Sequence, residues 1–306
     1  MPETIDFSII IPTRDRPAQL AVCLGGVAEI DYPRSRFEVI VVDDGSKRPL
    51  EEIVSRHSER LQITLCTQAG GGPARARNHG ATKARGRLLA FTDDDCVPAP
   101  DWLRKLEAQY EEHPGHVIGG RTVNALTGNL YSAASQVLIA YLYDYFNAGE
   151  EKIWFLASCN LAIPSEAYRS VGGFDSGFPR PAAEDRDFCD RLRLQGYSMS
   201  YAADAVVNHR HTLAPATFWR QHFEYGRGAH RFRRAHRGRS GRSIRLEPFG
   251  FYSGMMLYPF RRGGGGRPVR LAALLALSQA ANASGFLWEW LVRSVRRGGP
   301  SAEAGP

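Results

Sequence analysis

The N-terminal third of the chain alternates between short apolar runs and longer segments with helical spacing. The apolar runs are FSIIIPT, FEVIVVD, QITLCTQ and RLLAFT, and a helix-forming segment follows each of them. Continuous apolar runs indicate strands buried on both faces, and strand–helix alternation with short connections is typical of a parallel sheet between helices. This pattern predicts an α/β fold.

Carboxylates follow two of the predicted strands directly. Asp43 and Asp44 end the second strand, and Asp93, Asp94 and Asp95 end the fourth. Open α/β sheets bind ligands beyond the carboxyl ends of their strands. Adjacent carboxylates repel one another, and burying them is costly unless a positive charge compensates. We therefore expect a ligand site with a cation at this edge of the sheet.

Beyond about residue 115 the alternation loosens. Strands are predicted over HVIGGRTV, FLASCNLAI and YSMSYAADAVVNH, and helices over LYSAASQVLIAYLYDYF, SEAYRSV and AEDRDFCDRLRLQG. Ser165 is expected to cap the second of these helices, while Gly172 and Gly196 are expected to end the second and third. A composition shift predicts one domain over residues 1–212 and a basic helical extension over residues 213–306.

The net charge of +7 is unevenly distributed, and the segment from Arg227 to Arg245 contains eight arginines and no carboxylate. Such a run is either a solvated segment or a surface for the phosphates of lipid headgroups or nucleic acid. The five cysteines show no CxxC spacing, which argues against a disulfide framework and a structural zinc site. Without a signal-peptide pattern at the N-terminus, we expect a reduced, cytoplasmic compartment.

Two other nucleotide-using classes are disfavoured by the segment after the first strand. It reads PTRDRP, where a dinucleotide-dependent oxidoreductase would carry GxGxxG. A nucleotidylyltransferase would carry a glycine-rich loop with a lysine at the same place.

Six segments resemble glycosyltransferase family 2 in order and spacing: SIIIPTRDRP, EVIVVDDGS, GGPARARNHG, LLAFTDDDC, GGFD and AEDRDFCDRLRLQGY. The likeness covers residues 6–212. It implies the GT-A fold, a Rossmann-like, mostly parallel sheet flanked by helices. It also implies an inverting enzyme that moves a sugar from a UDP- or dTDP-linked donor to a saccharide, lipid-linked or small-molecule acceptor. A catalytically weak nucleotide-sugar-binding module is the alternative.

The resemblance implies a divalent cation, Mg²⁺ or Mn²⁺, held by Asp93, Asp95 and His209. Asp93 and Asp95 flank one residue, so in an extended segment their side chains point the same way. Asp93 would also lie near the ribose of the donor. The alternative for His209 is a purely structural role.

The residues expected to contact the nucleotide, again by resemblance, are Pro12, Thr13, Arg14, Asp43, Asp44, Arg75, Arg77, Asn78, Asp93 and Asp94. Asp44 would accept a hydrogen bond from the nucleobase. Turn formation is the alternative for Asp43 and Asp44. Arg77 has the alternative of pairing with Asp93 or Asp94 as part of the scaffold.

The general base implied by the resemblance is Asp185, with Glu184 orienting the acceptor or capping the helix. A structural role for Asp185 at the helix N-terminus is the alternative. Ser158, Asn160 and Asp175 are expected to line the acceptor side.

The segment VRLAALLALSQAANASGFLWEWLVRSVRR is long enough to span a bilayer, but Gln279, Asn282 and Glu289 interrupt it. Three alternatives stay open: contact with an anionic membrane surface, packing or homo-oligomer contact, and a true span. Membrane contact would place the protein on the inner face of the cell membrane. No nucleic-acid partner is expected.

Overall fold

The computed structural model describes residues 4–147, 153–178, 180, 182–241, 247–261 and 267–298, with side chains through residue 294 in the last range. The chain divides into two compact units, Met1–Leu213 and Ala214–Pro306. The first unit contains the sheet, and the second is helical.

The strands of the first unit are β1 (Phe7–Thr13), β2 (Phe37–Asp43), β3 (Ile63–Thr67), β4 (Leu88–Thr92), β5 (Cys96–Pro98), β6 (Val117–Asn124), β7 (Asn160–Pro164) and β8 (Met199–His209). They form one sheet in the order β3-β2-β1-β4-β7-β6-β8-β5. The first four strands in this order are parallel, as the alternation predicts. β7 runs antiparallel to both β4 and β6, while β8 is parallel to β6 and antiparallel to β5. The sheet is therefore mixed in its second half.

The helices of the first unit are α1 (Pro17–Val27), α2 (Glu51–Ser55), α3 (Pro73–Lys83), α4 (Trp102–Glu112), α5 (Leu130–Phe146), α6 (Ser165–Val171) and α7 (Glu184–Leu194). Two hydrophobic clusters cover the two faces of the sheet. Ile9 belongs to the cluster that includes residues of α1 and α4, and its neighbour Ile10 to the cluster that includes residues of α3, α6 and α7. Because β1 is buried on both sides, apolar residues occupy consecutive positions in it, from Ile9 to Pro12. The α/β fold with flanking helices is confirmed.

Three local details test the predicted helix boundaries. The helix-forming segment after the second apolar run, LEEIVSRHSERL, is an α-helix only over Glu51–Ser55. Ser165 is not a cap, because it is the first helical residue and its hydroxyl donates to the carbonyl of Gly86. Gly172 and Gly196 end α6 and α7 with φ values of +80° and +84°, the left-handed conformation that glycine adopts at low cost.

The second unit consists of α8 (Pro215–Ser240), α9 (Phe249–Arg261) and α10 (Pro268–Gly298). The arginine-rich run is therefore mostly helical, although its residues 242–245 lie outside the described residues. By length and composition alone, the helix segment Pro268–Ser294 could cross a membrane. The mean hydropathy of its apolar 18-residue stretch is 1.3. Only 28% of this apolar stretch is buried within the protein.

Candidate active site

The three aspartates after β4 lie in a turn. The backbone N–H of Cys96 donates to the carbonyl of Asp93 at 3.0 Å, which closes the turn between β4 and β5. The expectation that Asp93 and Asp95 point the same way from an extended segment is therefore wrong. Asp93 accepts from Arg77 at 2.7 Å, whereas Oδ1 of Asp95 lies 3.2 Å from Nε2 of His209.

Each carboxylate of this turn already has a cationic partner within the protein. Nη1 of Arg16 lies 3.1 Å from Oδ1 of Asp94 and 3.1 Å from Oδ2 of Asp95. Because β1 and β4 are neighbours, the hydroxyl of Thr13 also reaches Asp94, at 2.7 Å. Arg16 was not among the residues expected at this site. Its position in PTRDRP, just beyond the end of β1, was the available signal.

Burial and ion pairing separate the pKa values in this cluster. Burial raises the pKa of Asp94 to about 6, although the nearby Arg16 works in the opposite direction. Burial also disfavours the charge on Asp95, but its hydrogen bond to His209 and the charge of Arg16 hold the pKa of Asp95 below its usual range. The pKa of His209 is raised to about 9, because the bond to Asp95 outweighs burial. Asp95 and His209 thus form an ion pair at neutral pH.

Asp95, Cys96 and His209 offer ligand atoms within 4.8 Å of one another. They meet because β5 pairs with β8, which places Cys96 opposite His209. Cys96 is fully buried in the core, so the carboxylate and the imidazole are the donors that fit a cation at this edge. Mn²⁺ accepts oxygen and nitrogen ligands, whereas Mg²⁺ prefers oxygen. Among the described residues, Asp93 is not part of this group.

Asp44 joins the end of β2 to the loop before α3. Its buried carboxylate accepts from the side chain of Gln68 at 2.7 Å and from the backbone N–H groups of Gly71 and Gly72 at 2.8 Å each. Arg14 lies 3.9 Å from the same carboxylate and is half-exposed. The predicted nucleotide residues at the ends of β1 and β2 are thus brought together.

Asp43, the neighbour of Asp44, forms a turn. Its Oδ1 accepts from the backbone N–H of Ser46 at 2.8 Å. Pro12 is buried within β1, opposite Val42 of β2.

Two of the polar side chains of α3 form hydrogen bonds within the protein, and a third is exposed. Arg77 is only 2% exposed and bridges Asp93 and Glu184. The amide of Asn78 contacts both backbone groups of Phe174, at 2.7 and 2.8 Å. Arg75 is exposed in the first turn of the helix. The scaffold alternative for Arg77, pairing with Asp93, is the arrangement observed.

Glu184 and Asp185 begin α7 in different environments. Glu184 is buried, and its two oxygens accept from Arg77 at 3.1 Å and from the backbone of Ala182 at 2.7 Å. It therefore neither caps α7 nor faces an acceptor. Asp185 is partly buried and accepts from the backbone of Arg186 at 2.8 Å. Burial and the neighbouring Glu184 raise the pKa of Asp185 to about 7, which suits a base working near neutral pH.

Asn160 does not line an acceptor site, contrary to the expectation. It is fully buried, donates to the carbonyls of Arg121 and Ala205, and accepts from the indole of Trp102 at 2.8 Å. Ser158 is also buried, whereas Asp175 is exposed. Asn160 thus connects neighbouring strands inside the core.

The sequence of this chain is similar to those of known proteins. The family model described as Glycosyl transferase family 2 matches residues 8–172. The chain belongs to this family. Glycosyltransferase AglE of Haloferax volcanii is 30% identical over 219 residues, which cover 68% of each protein. The chain spans about half the length of several other curated relatives, which are also named glycosyltransferases.

Solved structures share the fold of this family member. The mannosyltransferase PcManGT of Pyrobaculum calidifontis, in complex with GDP-Man and Mn²⁺, matches with a TM-score of 0.59 at 20% identity, covering 95% of this chain and 79% of its own. Residues 1–349 of Staphylococcus aureus TarS, in complex with UDP-GlcNAc, match with a TM-score of 0.53 at 18% identity. That match covers 96% of this chain and 92% of the TarS chain. The GT-A-like architecture is thereby shown.

Proposed function

We propose that this family 2 glycosyltransferase moves a sugar from a UDP- or dTDP-linked donor to an acceptor hydroxyl by a single displacement that inverts the anomeric configuration. The observation that carries the proposal is the link between two carboxylate groups. Arg77 donates both to Asp93, in the turn after β4, and to Glu184, the residue before Asp185. The first turn of the helix that carries the candidate base is therefore tied by a buried arginine to the candidate donor site.

Donor binding is assigned to the carboxyl ends of β1, β2 and β4. Asp44 and the exposed side chains of Arg14 and Arg75 would contact the nucleotide, and Asp93 would lie near the ribose. Neighbours with this fold bind UDP, UDP-GlcNAc and GDP-Man, which supports a nucleoside-diphosphate sugar as the donor. The choice of UDP or dTDP rests on the family resemblance of VVDDG.

Asp95 and His209 would hold Mn²⁺ or Mg²⁺, and Asp93 is the further ligand that the resemblance implies. When bound, the cation would neutralise the negative charge that develops on the leaving diphosphate. Histidine ligates metals in its neutral form, so His209 would have to release the proton that it shares with Asp95. Arg16 would also have to give up its contact with Asp95.

Asp185 would take the proton of the acceptor hydroxyl. The oxygen would form its bond to the anomeric carbon as the bond from that carbon to the diphosphate oxygen breaks on the opposite face. One such displacement inverts the configuration. Glu184 would hold Arg77 in place, because both of its oxygens are buried and already accept hydrogen bonds.

Calorimetric titration with UDP, in Mn²⁺ and in chelator, tests the donor and metal assignments together. UDP should bind much more weakly in chelator, and Asp95→Ala should lose this difference. Asp101→Ala is the matched control, because Asp101 is exposed and its side chain does not cap α4. Equal affinity with and without metal would contradict the assignment, and binding without any transfer would favour the binding-module alternative.

The acceptor would be a saccharide, a lipid-linked sugar or a small molecule. We assign the protein to the cytoplasm, at the inner face of the cell membrane. The free cysteines support a reduced compartment, and the apolar α10 supports the membrane. A product analysis by NMR would report the anomeric configuration for whichever acceptor is used.

A further inference from the structure

The polarity of α10 is inverted compared with a helix on the surface of a soluble protein. Its inward positions recur at helical spacing and include small and polar residues: Leu271, Leu275, Ser278, Ala281, Gly285 and Glu289. Its outer face, defined here as Leu277, Leu287, Trp288, Trp290 and Leu291, is apolar and 40–56% exposed. The other exposed positions of α10 between residues 273 and 291 are alanine and Ser284.

Glu289 shows that the charge of α10 is turned inward and neutralised. It is 2% exposed, and its oxygens accept from Arg227 at 3.0 Å, Arg231 at 2.9 Å and Arg293 at 2.7 Å. Burial alone would disfavour the charge, but the three arginines hold the pKa of Glu289 below its usual range. A helix in contact with hydrocarbon must present apolar side chains to it and keep its charged side chains inside, paired with opposite charges.

The contact between α8 and α10 also brings their backbones close together at two glycines. A Cβ atom at Gly226 would overlap the carbonyl oxygen of Asn282, and a Cβ atom at Gly285 would overlap the carbonyl oxygen of Phe223. Small residues that let helices approach this closely are enriched where helices pack in membranes. Close packing of α8 covers the polar side of α10 and leaves the outer face open.

The exposed charges of α8 limit the orientation in which α10 can contact a bilayer. Arg220, Arg234, Arg237 and Arg239 of α8 are exposed. A charged side chain at the centre of a bilayer is energetically costly. A spanning α10 would either draw these arginines into hydrocarbon or leave Glu289 without two of its partners. Only an orientation parallel to the membrane plane keeps α8 in water.

We propose that the outer face of α10 lies in the interfacial layer of an anionic bilayer, with α8 on the water side. Trp288 and Trp290 are suited to the headgroup boundary, where amphipathic indoles concentrate. Arg270 near the start of α10 is exposed and would meet lipid phosphates. The inference rests on the membrane location proposed above and names the surface responsible for it, independently of the transfer reaction.

Sedimentation of the full chain with vesicles tests this surface. We expect binding to mixed phosphatidylcholine and phosphatidylglycerol vesicles, and weaker binding to phosphatidylcholine alone or in high salt. The double variant Leu287→Gln, Leu291→Gln should lower the partition coefficient by about tenfold or more, because two apolar side chains no longer enter the layer. Glutamine keeps the helix propensity of leucine. Leu194→Gln is the matched control, since Leu194 is 53% exposed in the first unit, against 56% and 51% for the tested leucines.

Three outcomes would overturn the proposal. The first is equal sedimentation of the double variant and wild type, or no sedimentation of either. The second is a lipid-free dimer, seen by light scattering, that the double variant converts to monomer, because a second copy would then cover the outer face. The third is retention of the protein in cell membranes after an alkaline carbonate wash, which would indicate a span. UDP binding measured on the same samples separates failure of this surface from failure of the donor site.

Discussion

The guanidinium of Arg77 donates to Oδ1 of Asp93 at 2.7 Å, and its other terminal nitrogen donates to Glu184 at 3.1 Å. One buried cation thus connects the turn after β4 with the first residue of α7. Asp185, the proposed base, is the next residue along the chain. The distance between the base and the donor site therefore depends on a side chain that is proposed to contact neither substrate.

Replacing Arg77 by methionine should destabilise the protein by about 3–5 kcal/mol, because Glu184 would remain buried without its cation. Arg75→Met is the matched control, since Arg75 is exposed on the same helix, and it should change stability little. Urea unfolding of both variants measures the difference. Adding Glu184→Gln to Arg77→Met should recover part of the loss, and equal stability of the two single variants would contradict the bridging role.

The rate of sugar transfer should depend on pH through Asp185. A base must be unprotonated, and the pKa of Asp185 is raised to about 7, chiefly by burial. Activity should therefore rise about tenfold per pH unit below about pH 7 and level off above it. The measurement is the turnover number at saturating donor and metal.

Asp185→Asn should lower turnover by about a hundredfold or more and remove this acidic limb of the pH profile, with donor affinity nearly intact. Asp204→Asn, which changes an exposed carboxylate of β8, should keep both the rate and the limb. If Asp185→Asn transferred sugar at the wild-type rate, another residue would have to be the base. Asp175, which is exposed, would be the next candidate.

The parallel half of the sheet could be predicted because three of its four strands, β1, β2 and β4, are buried on both faces. Ile9 and Ile10 enter opposite hydrophobic clusters, so the run that contains them does not alternate between apolar and polar residues, which indicates a strand buried on both faces. The position of the candidate site followed from the same pattern, since carboxylates stand at the ends of β2 and β4. Local sequence patterns therefore sufficed to propose where the candidate site lies.

Long-range pairing could not be predicted in the same way. Arg16 reaches Asp94 across 78 residues of chain, and only the register of β1 beside β4 makes that contact. β5 has three residues, Cys96–Pro98, too few for a periodic signal. The extension over residues 213–306 was predicted to be helical, but the bounds of α8 within it were not, because its arginines obscure apolar spacing and its packing relies on Gly226, which lowers helix propensity.

Asp44 should contribute to stability as well as to donor binding. Asp44→Ala leaves the N–H groups of Gly71 and Gly72 without their acceptor, which should cost about 1–3 kcal/mol and loosen the loop before α3. The control is Asp31→Ala, because Asp31 pairs with Arg104 at an exposed position where an ion pair contributes little. Thermal unfolding and UDP titration should both separate the two variants. A change in UDP affinity without a change in stability would assign Asp44 to the nucleotide alone.

Glycine-to-alanine substitutions at two positions of α8 should have opposite effects on the stability of the protein. Alanine at Gly226 would place a methyl group against the backbone of Asn282, and neither backbone can yield without separating α8 from α10. The free energy of unfolding should fall by about 1–3 kcal/mol, the typical range for overpacked sites. At Gly238 the same methyl group meets open space, so the higher helix propensity of alanine should stabilise the helix by up to about 1 kcal/mol. Circular dichroism during heating measures both. Stabilisation by both substitutions would mean that α8 and α10 do not pack backbone to backbone in solution.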